Sequence, residues 1–172
     1  MNFNWNDEKT KKFLSFKGTL TTIQDFYTGA NDKETGCYKL MSVQNRNGNL
    51  VNFVVSPNTY FVDHITVAPG NMVTGFYDGN APVPLIYPPQ YNAIVMAEDM
   101  PYENIKVDYF NDQLVSSDNT LKLNISPDTQ IILENDQAFN LNPSNRYLIV
   151  VYGATTKSIP AQTVPYKIIV MC

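Results

Sequence analysis

Charged residues, cysteine and histidine are scarce in this chain, and each scarcity argues against a class of function. Lysine and arginine number 12, aspartate and glutamate 16, and the charged fraction is 16%, well below the usual quarter. With a net charge of −4, no basic surface is available to neutralise phosphates, so we expect no nucleic-acid partner. The two cysteines, Cys37 and Cys172, form neither a disulfide framework nor a metal-ligand spacing.

Long apolar runs and leader-like segments are also missing. No stretch approaches the roughly 18 apolar residues that a spanning helix needs, so we expect no membrane partner. The first residues carry no basic region followed by an apolar one, which predicts a chain that is cytoplasmic as synthesised. Association with a spore or cell surface is the alternative for its final location.

Catalytic and cofactor signals are sparse as well. His64 is the single histidine, no glycine-rich loop precedes a helix, and the acidic stretches 31–34 and 108–112 lack the alternating ligand spacing of a calcium loop. We therefore expect no cofactor, no metal and no enzymatic activity. An enzyme would need Cys37 or His64 at the bottom of a pocket beside a second polar group.

Tyrosine, phenylalanine and asparagine are abundant instead. The 11 tyrosines and 9 phenylalanines suit the half-buried face of a sheet, and the 20 asparagines suit turns. Apolar and polar residues alternate over 18–26, 37–43 and 50–55, and Asn47-Gly48 marks a hairpin between the last two. No apolar stripe of helical period survives the proline and glycine spacing, so the chain is predicted to be all-β.

An internal repeat divides the chain. Residues 56–59, Ser-Pro-Asn-Thr, return as residues 126–129, Ser-Pro-Asp-Thr. Residues 71–96 can be laid on 146–171 without a gap, so that Tyr77 meets Tyr152 and Tyr91 meets Tyr166. The offset grows from 70 to 75, which predicts an insertion of about five residues within 133–145.

The repeat predicts two tandem five-stranded β-barrel modules of the OB type, with tandem small β-sandwiches as the alternative. The boundaries are a flexible N-terminal arm at 1–12, module 1 at 13–99 and module 2 at 100–172. Module 1 carries an extra polar loop at 27–36, whereas the second copy passes almost directly from Phe110 to Leu114.

Three segments resemble one family of proteins. They are residues 54–63, residues 75–91 with their run Ala-Pro-Val-Pro-Leu-Ile-Tyr-Pro-Pro, and residues 158–163. In them the chain resembles small tandem β-barrel proteins of spore-forming anaerobic Firmicutes. The resemblance covers most of residues 18–172 and is most specific in the proline-bearing loop. It implies a β-barrel fold and a bacterial source, and it carries no activity or catalytic residue.

The proline-bearing loop, residues 79–90, is the main candidate for binding. Its four prolines favour an extended conformation, and the apolar residues between them can be offered to an aromatic groove on a partner. The alternative interpretation is an apolar plug over one end of the barrel, because Ile159-Pro160 occupies the same place in the second copy. Tyrosines at paired positions are expected to pack in cores or at strand ends, and the unpaired ones to recognise ligands.

These observations predict a non-enzymatic protein-interaction or assembly module that is able to self-associate. The alternative is a glycan or small-ligand module that uses exposed tyrosines in a cleft between the modules. The predicted binding residues are Tyr60, Pro84, Leu85, Ile86, Tyr87, Pro88 and Tyr102. Cys172, on the last residue, is expected near the surface, where it could cross-link subunits in an oxidising environment.

Overall fold

A computed structural model describes residues 11–29 and 32–172, with the side chain of Asp32 excepted. The predicted all-β class is confirmed, since helix in the described residues is limited to two short 3-10 turns, Asp32–Glu34 and Val62–His64. The chain divides into two compact units, Met1–Asp99 and Met100–Cys172. Among the described residues, no helix has the length and apolar character needed to cross a membrane.

Unit 1 is built from one sheet whose strand order is β4-β7-β5-β1-β2-β3-β6. Its seven strands are β1 (Phe13–Asp25), β2 (Lys39–Gln44), β3 (Leu50–Val55), β4 (Tyr60–Phe61), β5 (Met72–Asp78), β6 (Gln90–Asn92) and β7 (Val95–Glu98). Strands β1, β2 and β3 form an antiparallel meander, and β5 pairs with the other edge of β1. Although β6 and β7 are almost contiguous in sequence, β6 pairs with β3 and β7 pairs with β5.

The long strand β1 is shared between two neighbours. Its first half pairs with β5 and its second half with β2, and the register shifts between Leu20 and Thr22. Gly18 lies at the overlap, where an added Cβ would stand 2.3 Å from the backbone oxygen of Gln44. A residue without a side chain is therefore required for the two strands to approach this closely.

The predicted hairpin after β2 is present, with a longer loop than a two-residue turn. The Asn45 amide donates to the Asn49 carbonyl, and Gly48 adopts a φ of 80°. The Asn45 side-chain oxygen accepts hydrogen bonds from the backbone amides of Asn47 and Asn49, each at 3.0 Å. The asparagine-rich sequence thus supplies the loop with acceptors that the backbone alone would lack.

Unit 2 has a four-stranded sheet of order β10-β13-β11-β8 and a two-stranded sheet, β12-β9. Its strands are β8 (Asn104–Phe110), β9 (Leu121–Leu123), β10 (Gln130–Leu133), β11 (Arg146–Tyr152), β12 (Ala161–Thr163) and β13 (Lys167–Val170). The pairing repeats unit 1: β9 with β12 corresponds to β3 with β6, and β10 with β13 corresponds to β4 with β7. Each unit encloses its own apolar cluster, centred on Phe53 in unit 1 and on Phe110 in unit 2.

The repeated Ser-Pro-x-Thr segment has the same structural role in both units, and we call it the threonine staple. The hydroxyl of Thr59 accepts from the Ser56 amide at 3.0 Å and donates to the Ala93 carbonyl at 2.7 Å. Thr129 accepts from the Ser126 amide at 3.2 Å and donates to the Pro165 carbonyl at 2.8 Å. In unit 1 the staple ties the turn after β3 to the short segment between β6 and β7. In unit 2 it ties the turn after β9 to the short segment between β12 and β13.

Strand registers correct the gapless alignment of the two copies. Gly75 and Val150 occupy the same position in β5 and β11, as the alignment predicts, but Met96 in the final strand of unit 1 corresponds to Ile168 and not to Met171. Phe53 faces Tyr91, and the equivalent pair is Leu123 with Thr163. The predicted match of Tyr91 with Tyr166 is therefore wrong. The physical cause is loop length, since the segment 79–89 that joins β5 to β6 is longer than the segment 153–160 that joins β11 to β12.

Two other differences between the copies agree with the sequence. The segment 26–38 joins β1 to β2 in unit 1, whereas a turn at 111–114 follows β8 directly. The inserted residues of unit 2 form a small hairpin, in which Phe139 donates to the Ile131 carbonyl and Leu133 to the Gln137 carbonyl.

The predicted arm falls mostly on residues 1–10, outside the described residues. Lys12 is already ordered, because its amide donates to Asp78 at 3.1 Å.

Candidate functional site

The loop that joins β5 to β6, residues 79–89, displays most of the predicted binding residues on the surface. Leu85 is fully exposed at 101%, Tyr87 is 80% exposed and Ile86 is 54% exposed. Pro84 is also exposed and Pro88 is half-buried. The alternative expectation of an apolar plug is wrong for this part of the loop, because residues 84–87 do not pack inward.

The other two predicted tyrosines differ from each other. Tyr102 is 91% exposed at the start of unit 2 and adopts a φ of 65°. Tyr60 is only 6% exposed, and its ring lies edge-on to His64 with the ring centroids 5.3 Å apart. The predicted recognition role of Tyr60 is contradicted, because β4 pairs with β7 and buries the residue that follows the threonine staple.

The base of the same loop covers an aromatic cavity in unit 1, which we call the unit 1 groove. The cavity has a volume of about 220 Å³ and is lined by Tyr77, Asp78, Ala81, Pro82, Val83, Tyr91, Asn92 and Ile94. The rings of Tyr77 and Tyr91 stack with centroids 3.8 Å apart and planes inclined by 6°. Burial raises the pKa of Tyr77 to about 12, and a hydrogen bond with Tyr91 adds to the effect. Both rings are half-buried against the apolar cluster of unit 1, as predicted, although the pairing that suggested this for Tyr91 is wrong.

An equivalent and wider cavity lies in unit 2, and we call it the unit 2 groove. It has a volume of about 460 Å³ and is lined by Asn124, Gly153, Ala154, Thr155, Thr156, Gln162, Thr163, Val164 and Tyr166. By the strand registers, Gly153, Thr163 and Tyr166 stand where unit 1 has Asp78, Tyr91 and Ile94. Tyr166 is 53% exposed and directly precedes β13, so it lies at a strand end and not in a core.

Both candidate catalytic side chains lie at the surface. Cys37 is exposed and its sulfur lies 3.7 Å from the Lys33 carbonyl. His64 is exposed, with its ring beside that of Tyr60. Cys172 is exposed and free, which confirms its predicted place at the surface.

The acidic stretches are used by the fold. Asp108 is buried in β8 and accepts hydrogen bonds from the Ser117 hydroxyl at 2.6 Å and the Tyr109 amide at 2.7 Å. No group of three or more histidine, cysteine or acidic side chains suited to a metal ion occurs in the part of the chain that the structure describes.

Asp118 forms the strongest electrostatic cluster of unit 2. Its carboxylate accepts hydrogen bonds from the hydroxyls of Ser116 and Thr120, each at 2.7 Å, and forms an ion pair with Lys106. Burial by itself would raise the pKa of Asp118, but these bonds and the lysine charge hold it well below its usual value. Burial, followed by the charge of Asp118, raises the pKa of Tyr152. The cluster closes a turn and opens onto neither groove.

No protein-family profile, curated protein or solved structure matches the chain. The residues that the sequence argument missed are Tyr166, Gln162 and Asn124. A loop-length difference between the copies was the signal that could have found them. It was hidden because Ile-Val-Met occurs in both final strands and favours the wrong register.

Proposed function

We propose that each unit is a small five-stranded barrel of OB-like topology and that the protein is a non-enzymatic protein-interaction module. The barrel is supported by the course of residues 90–98, which pair first with β3 and then with β5. Because this segment pairs with both edge strands of the ladder β5-β1-β2-β3, it closes the ladder into a ring. If β6 and β7 are counted as one interrupted fifth strand and the short β4 is left aside, the third strand pairs in parallel with the fifth. This is the strand order of an OB barrel.

The interaction surface is the tip of the loop 79–89, which we call the apolar tip and define as residues 83–87. One observation carries the proposal: four of these five residues are large apolar side chains, and all of them are exposed. Solvent contact with such a run is unfavourable by about 25 cal/mol for each Å² of apolar surface. Contiguous exposed apolar surface of this kind marks contact sites in soluble proteins.

Both ends of the loop that carries the apolar tip are anchored to the rest of unit 1. At the first end of the loop, the Gly79 amide donates to the Lys12 carbonyl at 2.7 Å, and the Asn80 amide donates to Asp78 at 2.9 Å. At the other end, the Pro89 carbonyl accepts from the Asn52 amide at 2.9 Å. Four prolines further restrict the loop. A preformed loop loses little conformational entropy on binding, so its apolar contacts are available for affinity.

The chemistry of the loop indicates the chemistry of the partner. Residues 79–90 contain no charged side chain, so the complementary surface is an apolar, uncharged pocket. Binding of this kind depends little on salt, in contrast to contacts steered by charge. A second copy of the chain is one such partner and gives the self-associating form of the function.

The test replaces the apolar tip while leaving its support intact. Leu85→Ser with Ile86→Ser is the test variant, and Ile159→Ser, which is 90% exposed on the equivalent loop of unit 2, is the matched control. Sedimentation over a concentration series measures self-association. A photoreactive group at position 87, with mass-spectrometric mapping of its cross-links, identifies a different partner.

We expect either concentration-dependent assembly or cross-linking to one defined protein surface, lost in the double variant and retained in the control. Neither should change by more than about twofold between low and moderate salt. A chain that stays monomeric and gives no cross-link dependent on Leu85 and Ile86 would refute the proposal.

A further inference from the structure

The unit 2 groove is open because its covering loop is short. In unit 1, Pro82 and Val83 line the equivalent cavity and belong to the longer loop, 79–89. In unit 2 the corresponding loop spans only 153–160, and none of 157–160 lines the groove. The volume rises from about 220 to about 460 Å³, which falls within the range of about 300–1,000 Å³ typical of small-molecule sites.

The walls of the unit 2 groove are neutral and rich in hydrogen-bonding groups. None of its lining residues is charged. Asn124 donates from its side-chain amide to the Gln162 side-chain oxygen at 3.1 Å, so the two amides lie side by side. Each amide offers donors and acceptors beyond that single bond. Thr155 and Thr156 are exposed along the same wall.

Tyr166 supplies the aromatic face of this groove. Its hydroxyl reaches over the backbone of Gly153, where an added Cβ would stand 2.1 Å from the phenolic oxygen. Gly153 is therefore the residue that lets the ring lie in this position. In unit 1 the equivalent position of the ring is taken by Ile94, and Tyr91, stacked on Tyr77, stands where unit 2 has Thr163.

We propose that the unit 2 groove binds a neutral saccharide. The exposed face of Tyr166 packs against the apolar face of a sugar ring, and the amides of Asn124 and Gln162 hydrogen-bond its hydroxyls. No lining residue supplies a charge to pair with a phosphate, which favours neutral sugars over sugar phosphates and nucleotides. This function is separate from the apolar tip, which belongs to unit 1.

The experiment is a titration of the isotopically labelled full chain with single neutral trisaccharides, built from glucose, galactose or N-acetylglucosamine, followed by NMR. We expect at least one of them to bind with a Kd of about 1 mM. Its largest shifts should fall on the side-chain amides of Asn124 and Gln162 and on backbone amides of residues 153–156. Glucose 6-phosphate is the charged comparison and should bind at least about tenfold more weakly.

Three variants separate the groove from a general effect on the surface. Tyr166→Ala should weaken binding about tenfold. Gly153→Ala should weaken it as well, because the new Cβ displaces the ring without removing it. Tyr102→Ala removes a more exposed tyrosine of the same unit, outside the groove, and should leave the affinity unchanged.

Backbone spectra of all three variants report whether unit 2 remains folded. The proposal is overturned if no trisaccharide shifts the Asn124 and Gln162 amides. It is equally overturned if Tyr102→Ala reduces binding as much as Tyr166→Ala, or if a neutral peptide binds the same residues more tightly than any saccharide.

Discussion

The threonine staple gives the sharpest test of how the final strand is held. In unit 2, Thr129 is 9% exposed, and its hydroxyl joins the Ser126 amide to the Pro165 carbonyl. Thr129→Val keeps the shape of the side chain and removes both hydrogen bonds. It leaves a carbonyl of the buried residue Pro165 without this donor.

The magnitude follows from burial. An unsatisfied buried polar group costs about 1–3 kcal/mol, and the second, less buried hydrogen bond adds about 1 kcal/mol. The extra methyl of valine offsets about 0.8 kcal/mol. We expect Thr129→Val to lower the free energy of unfolding of unit 2 by about 2 kcal/mol. Thr59→Val in unit 1 should cost less, because Thr59 is half-buried and water can reach its partners.

Thr129→Ser is the matched control, since it keeps the hydroxyl and loses only a methyl group, at a cost of about 1 kcal/mol or less. Urea denaturation followed by circular dichroism measures global stability, and hydrogen exchange of the Ile168 and Ile169 amides reports on β13. The reasoning is refuted if the valine variant is no less stable than the serine variant, or if those amides exchange equally in both.

Three further predictions test the packing and the ionisable groups. Gly75→Ala should destabilise unit 1 by about 1–3 kcal/mol in thermal unfolding, because its Cβ would stand 2.5 Å from the ring of Phe53; an unchanged melting temperature would contradict this packing. The pKa of Tyr77 is about 12 in the folded chain against an ordinary 10.0. The contribution of Tyr77 to the free energy of unfolding should therefore be complete below pH 10 and be lost as pH rises towards 12. Denaturation across that range should show a loss of stability that Tyr77→Phe lacks. Asp118 has a lowered pKa, so Asp118→Asn should cost about 1 kcal/mol at neutral pH, with the difference shrinking as pH falls below the ordinary value of 3.8; a difference that is independent of pH would show that the charge is not involved.

Local patterns in the sequence were sufficient for the antiparallel meander. Alternation located β3, Leu50–Val55, to the residue. Parallel pairing left no comparable local signal, so the short strands β6 and β12 were not predicted. Their partners, β3 and β9, lie far away along the chain.

The site was less predictable, for physical reasons that differ between residues. Leu85 and Tyr87 are exposed, which the sequence offered only as one of two alternatives, because proline favours an extended loop without fixing which surface it faces. Tyr60 is buried because a very short strand follows the staple, and such a strand has no period to detect. The prediction for Tyr166 depended on where a gap is placed in the alignment of the two copies. The strand registers define that gap, and sequence identity does not.

The two copies diverge where their framework leaves room for change. The staple and the parallel closing pairs recur because each satisfies backbone groups that any version of the fold must satisfy. The loop that joins β5 to β6 in unit 1, or β11 to β12 in unit 2, has no such backbone requirement except at its two ends. The longer loop of unit 1, 79–89, reaches over the groove and presents an apolar tip, whereas the shorter loop of unit 2, 153–160, leaves a polar groove open. This difference in loop length therefore accounts for both candidate surfaces, one that projects towards a partner and one that accepts a ligand.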